Sequence, residues 1–158
     1  MEARNLIFFE KGSMVFKYIF VFFFVVFSGC NSASTEGIKF QENTWEEILA
    51  KAKKQDKLIF FDAYASWCRP CQEMQYATFS DSSVAAFFND KFINVKYDME
   101  KGEGLHLAQK YQVRAYPTLL FLDANGTIVE RLHGKRNATS FLASAQEIYQ
   151  KYQTQIKK

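Results

Sequence analysis

The run Leu58-Ile59-Phe60-Phe61 has no polar position, and a strand without a polar face has to be covered on both sides. A short all-apolar strand of that kind belongs at the centre of a sheet. Asp62 ends it, and Trp67-Cys68-Arg69-Pro70-Cys71 follows a few residues later. The chain therefore needs a layered fold with this strand in the middle and a helix opening beside the cysteines.

The remaining elements fit around it. Thr44-Trp45-Glu46-Glu47 is a capping-box pattern that opens a helix to about Lys54, with Trp45, Ile48, Leu49 and Ala52 on one face. A helix starts near Cys68 and runs toward Thr78, and Asp81 or Ser82 caps a short one through Phe88. Phe92 to Tyr97 reads as a second buried strand, and Leu105 to Tyr111 as a helix after the Gly102 to Gly104 break. Thr118 to Leu122 and Ile128 to Leu132 flank Asp123-Ala124-Asn125-Gly126, a hairpin signal. A last amphipathic helix begins near Asn137, which caps it, and lines up Phe141, Leu142, Ala145, Ile148 and Tyr149. The order predicts an α/β fold: a central mixed sheet, helices on both faces, and a C-terminal β-hairpin and helix.

Composition excludes other classes. Among 158 residues there are seven Gly and two Pro, too few for a fibrous or linker-rich chain, and three Cys cannot staple a bridge-dependent scaffold. The net charge of +3 arises from 20 basic and 17 acidic residues mixed along the chain, with no basic stripe, so nucleic acid is not an expected partner.

Two residues between Cys68 and Cys71 make one helical turn, so the sulfurs can close a small ring. Cys68 then sits at the helix N-terminus, where unpaired N–H groups stabilise a thiolate. Arg69 adds positive charge, and Pro70 suits a first turn, where its missing N–H costs little. Cys68 is thus the expected nucleophile with a depressed pKa, and Cys71 the resolving thiol. A catalytic pair presents one accessible thiol; the alternatives are a structural disulfide or half of a zinc site. For zinc, only His106 and His133 remain as donors, far apart in sequence, and no metal site is expected.

On these residues the chain resembles the thioredoxin superfamily over about Ile38 to Tyr149, with Leu58 to Asp62 matching the central strand and Tyr116-Pro117-Thr118 a cis-proline loop. The segment from Tyr64 to Val84, Thr78-Phe79-Ser80-Asp81 above all, looks most like the C-terminal domains of exported thiol:disulfide interchange proteins and their single-domain lipoprotein relatives. The resemblance implies thiol:disulfide oxidoreductase activity of the reductase or isomerase type, without a cofactor beyond the Cys68–Cys71 disulfide. It implies protein thiol and disulfide substrates and a redox donor as partners. Cys68 would attack, Cys71 resolve, Asp62 accept the Cys71 proton, and Pro117 shape a substrate groove with Tyr116, Trp67, Arg69 and Pro70 at its rim. A non-enzymatic binding module with a static bridge is the rival reading. Thioredoxins carry a Lys near the buried Asp; the alignment puts Asn94 there, with Lys96 two residues on. Tyr64 stands where thioredoxins have Trp.

The front of the chain has another role. Eight of the 17 Phe fall within the first 27 residues, and Tyr18 to Phe27 contains no charged side chain. As a helix those ten residues span about 15 Å, half a bilayer core, which suits the apolar region of an export signal. Lys17 supplies its positive flank, and Met14 is a plausible start. Phe27-Ser28-Gly29-Cys30 resembles a lipobox, implying cleavage before Cys30 and lipidation there. The expected organisation is a signal over 1–29, a lipidated Cys30 and polar tether over 30–37, a thioredoxin-like domain over 38–152 and a polar tail over 153–158. The expected product is an exported monomer, held by lipid at a membrane of the bacterial periplasm or cell envelope.

Overall fold

The structure is a computed structural model that describes residues 37–156. The expected signal, Cys30 and all of the tether except Gly37 lie outside the described residues.

Among the described residues five helices and four strands follow in the order α1 (Trp45–Gln55), β1 (Leu58–Tyr64), α2 (Arg69–Ala77), α3 (Ser82–Lys91), β2 (Phe92–Asp98), α4 (Gly104–Lys110), β3 (Thr118–Leu122), β4 (Ile128–His133) and α5 (Ala138–Ile156). The sheet order is β2-β1-β3-β4. β1 pairs in parallel with β2 and antiparallel with β3, and β3 pairs antiparallel with β4. The expected mixed sheet is present.

Because side chains alternate along a strand, β1 feeds two cores. Ile59, Phe61 and Ala63 pack with Trp45, Ile48 and Ala52 of α1 and with Leu107 and Tyr111 at α4. Leu58 and Phe60 pack on the other face with Met74 of α2, Val84 and Phe88 of α3, and Phe141, Ala145 and Ile148 of α5. The Phe60 ring lies 4.8 to 6.2 Å from the rings of Phe40, Phe79, Phe88, Phe121 and Phe141, distances at which offset and edge contacts add to area burial. Asp62 shares its parity with Phe60, so the same alternation turns its carboxyl toward the α2 layer.

Local chemistry sets the boundaries. Thr44 caps α1 reciprocally: Glu47 N–H donates to Thr44 Oγ1 at 3.3 Å and Thr44 N–H to Glu47 Oε2 at 3.1 Å, an arrangement whose loss costs about 1 kcal/mol. Asp81 Oδ1 accepts from Ser83 and Val84 at the start of α3, and Asn137 Oδ1 accepts from Ser140 at the start of α5. The hairpin tip is held by Asp123 Oδ1, which accepts from Asn125 and Thr127, while Gly126 adopts φ 79°.

Some elements run longer than the sequence pattern predicts. β1 continues two residues past Asp62, because Ala63 still pairs with Thr118 and Tyr97, and Tyr64 with Asp98; Asp62 is therefore inside the strand. α3 reaches Lys91 rather than Phe88. α5 extends into the expected polar tail through Ile156, carried by a solvated Glu147–Lys151 pair one turn apart and by Thr154, whose hydroxyl donates to the Gln150 and Lys151 carbonyls.

Candidate active site

Cys68 is the N-cap of α2. Its Sγ accepts from Cys71 N–H at 3.2 Å, and Pro70 lies in the first turn. The two sulfurs are bonded to one another, with Cα atoms 5.3 Å apart. The strand-to-helix junction thus delivers the expected one-turn ring with a helix N-terminus aimed at the leading sulfur, where a developing thiolate meets unpaired N–H groups. In this oxidised state Cys68 is 2% and Cys71 6% exposed. The leading cysteine is thus more covered than an accessible thiol would be, tucked with Ala65 against Tyr64 and Tyr116.

Asp62 is 3% exposed, and its Oδ1 has no hydrogen-bond partner. Burial pushes its carboxyl up to about 7, with the Lys96 ammonium pulling in the opposite direction. A cavity of about 160 Å³ brings Asp62 together with Cys71, Gln72, Gln75, Tyr64 and Lys96. A carboxyl that ionises near neutral pH beside Cys71 can take up and return a proton.

The parallel register pairs Asp62 with Lys96, and Asn94 with Phe60. This corrects the sequence alignment: the lysine beside the buried carboxyl is Lys96. Asn94 is buried instead at the end of α3, donating to the Phe88 carbonyl at 3.2 Å and to Asn89 Oδ1 at 3.3 Å. Counting β2 in register with β1 would have found Lys96; comparison of motifs alone does not.

On the other flank the Tyr116–Pro117 peptide is cis. Trp67 is 67% exposed, its ring centroid 5.9 Å from that of Tyr116 in an edge-on contact. Its indole N–H donates to Glu100 Oε2 at 2.8 Å. Lys101 Nζ meets Ser66 Oγ at 3.0 Å and Asp98 Oδ2 at 3.1 Å. The β2–α4 loop therefore fixes the residues leading into the disulfide, a role no local pattern around Glu100 announces. Arg69 and Pro70 are exposed at the start of α2, as expected. His106 and His133 are both exposed and on separate elements. Among the described residues, no group of three or more His, Cys, Asp or Glu is placed to hold a metal ion.

A central mixed sheet flanked by helices, with a one-turn disulfide capping α2 beside a cis-proline loop, defines a thioredoxin fold carrying a Cys-x-x-Cys disulfide. The family model described as thioredoxin-like matches residues 41–124, and the chain belongs to that family. It is similar to a solution structure from Bacteroides thetaiotaomicron assigned as a candidate disulphide-isomerase, at 45% identity and a TM-score of 0.64, covering 72% of this chain and 93% of that one. It is 36% identical over 107 residues to the thiol:disulfide interchange protein DsbD of Vibrio vulnificus, covering 65% of this chain and 18% of that protein. The chain therefore spans under a fifth of the DsbD relatives it matches. The oxidised C-terminal domain of Neisseria meningitidis DsbD shares the fold, at a TM-score of 0.55 and 23% identity, covering 65% of this chain and 90% of that domain.

Proposed function

We propose that this protein is a thiol:disulfide oxidoreductase that exchanges disulfides with exported proteins through Cys68. In the reductive direction the Cys68 thiolate attacks a substrate disulfide, forming a mixed disulfide and expelling one substrate thiolate. Cys71 then gives its proton to ionised Asp62 and attacks Cys68 Sγ, releasing the second substrate thiolate. Two electrons have passed to the substrate, and the Cys68–Cys71 bond has re-formed; a dithiol donor reverses that change. Trp67, Arg69, Pro70, Tyr116 and Pro117 border the place where the substrate segment lies. The reading calls for no metal or organic cofactor.

The observation that carries it is the disulfide at the α2 N-terminus, beside a buried carboxyl whose pKa lies near neutrality. A bridge serving only stability gains nothing from such a neighbour. The relatives named for disulfide interchange and isomerisation favour a reductant or isomerase, whereas the charge of Arg69 favours a more oxidising couple; a measured potential near −120 mV would count against the reductant role. The rival reading, a binding module with a static bridge, draws on the burial of both cysteines.

Cysteine variants separate the two. Cys68→Ser is expected to abolish turnover in a protein-disulfide reduction assay, and Cys71→Ser to accumulate mixed disulfides visible on non-reducing gels. A bridge that resists dithiols, with neither variant changing activity, overturns the proposal in favour of the binding module.

The apolar run before Ser28-Gly29-Cys30 supports export, with Cys30 as the site of lipid attachment and a membrane as the place of work.

A further inference from the structure

The segment between β4 and α5 is fastened to both walls of the site. Gly134, at φ 78°, donates its N–H to the Pro117 carbonyl at 3.0 Å. Thr78, buried at the end of α2, donates its hydroxyl to the Arg136 carbonyl at 2.7 Å. Between these two anchors, Lys135 Nζ meets Glu73 Oε2 at 2.5 Å. Glu73 Oε1 is 3.4 Å from Arg69 Nε, one helical turn back. A single carboxylate is therefore shared by two cations that reach it from different parts of the fold.

Arg69 adjoins Cys68, so its positive charge stabilises a Cys68 thiolate to the extent that Glu73 does not neutralise it. With Lys135 in place, Glu73 Oε2 is taken and only Oε1 faces Arg69. Without it, both oxygens of the carboxylate are free to neutralise the guanidinium. Burial of Thr78 and the Gly134 bond hold the Lys135 backbone in register with α2, so the exposed Lys135 side chain reaches Glu73 from a fixed base.

We propose that Lys135 is a positioning residue for the redox pair: by occupying Glu73 it leaves the Arg69 charge available to the Cys68 thiolate, and so tunes the pair toward the oxidising side. This rests on the oxidoreductase reading above. On the exposed surface the effect is modest and screened by salt.

The test uses the folded protein and two readouts that a purely structural role would not move: the Cys68 thiol pKa, from the pH dependence of alkylation, and the equilibrium with glutathione. Lys135→Ala is expected to raise the thiol pKa and shift the equilibrium toward the disulfide by about threefold. That shift equals about 14 mV toward the reducing side for a couple in which tenfold is 29.6 mV. Lys135→Arg should restore both values. Glu73→Gln should move both in the opposite direction and remove most of the effect of a subsequent Lys135→Ala change. A Lys135→Ala variant with wild-type pKa and equilibrium overturns the proposal, as does an equal shift in the Glu73→Gln background, since Lys135 would then act without Glu73. A wild-type Cys68 inert to alkylation after treatment with dithiols would instead sink the oxidoreductase reading, so the two failures are distinguishable.

Discussion

At Asp62 the fold holds an acid where water cannot reach it well. Below about pH 4 the carboxyl is protonated in both native and unfolded chains, so its burial carries no ionic penalty. As pH rises toward 7 the unfolded chain loses the proton while the native chain, with its pKa at about 7, keeps it; the unfolded state then binds fewer protons and stability falls. Above pH 7 the loss levels off at about 4 kcal/mol, from roughly three units at 1.36 kcal/mol each. Asp62→Ala is accordingly expected to unfold at higher temperature than the wild type at pH 8 and to lose that advantage at pH 4, measured with the disulfide intact. An equal difference at both pH values would remove the ionic explanation. Cys68, Cys71, Asp62 and Pro117 were legible from sequence because each belongs to a short motif with fixed spacing. Lys96 was not, because its relation to Asp62 exists only through strand register; Glu100 and Lys135 reach the site from other elements, and Glu73, although on α2, is singled out only by its contact with Lys135.

Among the elements, the turn from β2 into α4 shows how tightly the site's scaffold is built. A Cβ on Gly104 would lie 2.0 Å from the Asp98 carbonyl oxygen, whereas Gly102, at φ 52°, has open space around it. Gly104→Ala therefore forces the backbone apart beside the loop that carries Glu100 and Lys101. It is expected to cost at least the 1–3 kcal/mol typical of overpacking, and Gly102→Ala only about 1–2 kcal/mol from its left-handed backbone. Urea denaturation of the two variants measures the difference; equal midpoints would contradict it. Sequence patterns located these elements because the longer helices have an apolar face, β1 and β3 are apolar runs, and the Asp123 to Gly126 turn signal marks the return strand β4. They placed the ends less well: Asn89 to Lys91 of α3 and Gln153 to Gln155 of α5 are polar, and a solvated helical turn leaves no hydrophobic signature.

For the whole molecule, the two cores meet across one sheet within residues 37–156, and the preceding segment is read from sequence as an address and an anchor. Cys30→Ser is expected to release the exported protein from the membrane fraction while leaving its disulfide exchange with a soluble substrate unchanged; continued sedimentation with membranes would rule out lipid attachment at that thiol. The margins of the sheet bear on how the protein meets other chains. Gln41 bridges to Val95 on β2, and the outermost strand β4 carries Glu130 and Arg131. Charge and partial cover make such borders poor templates for another strand. If the chain works as proposed, a catalyst crowded among half-folded clients risks being glued to them along its flanks. On that proposal the unwelcoming flanks would leave a stretched-out client to settle beside the proline bend, where it could be processed and let go.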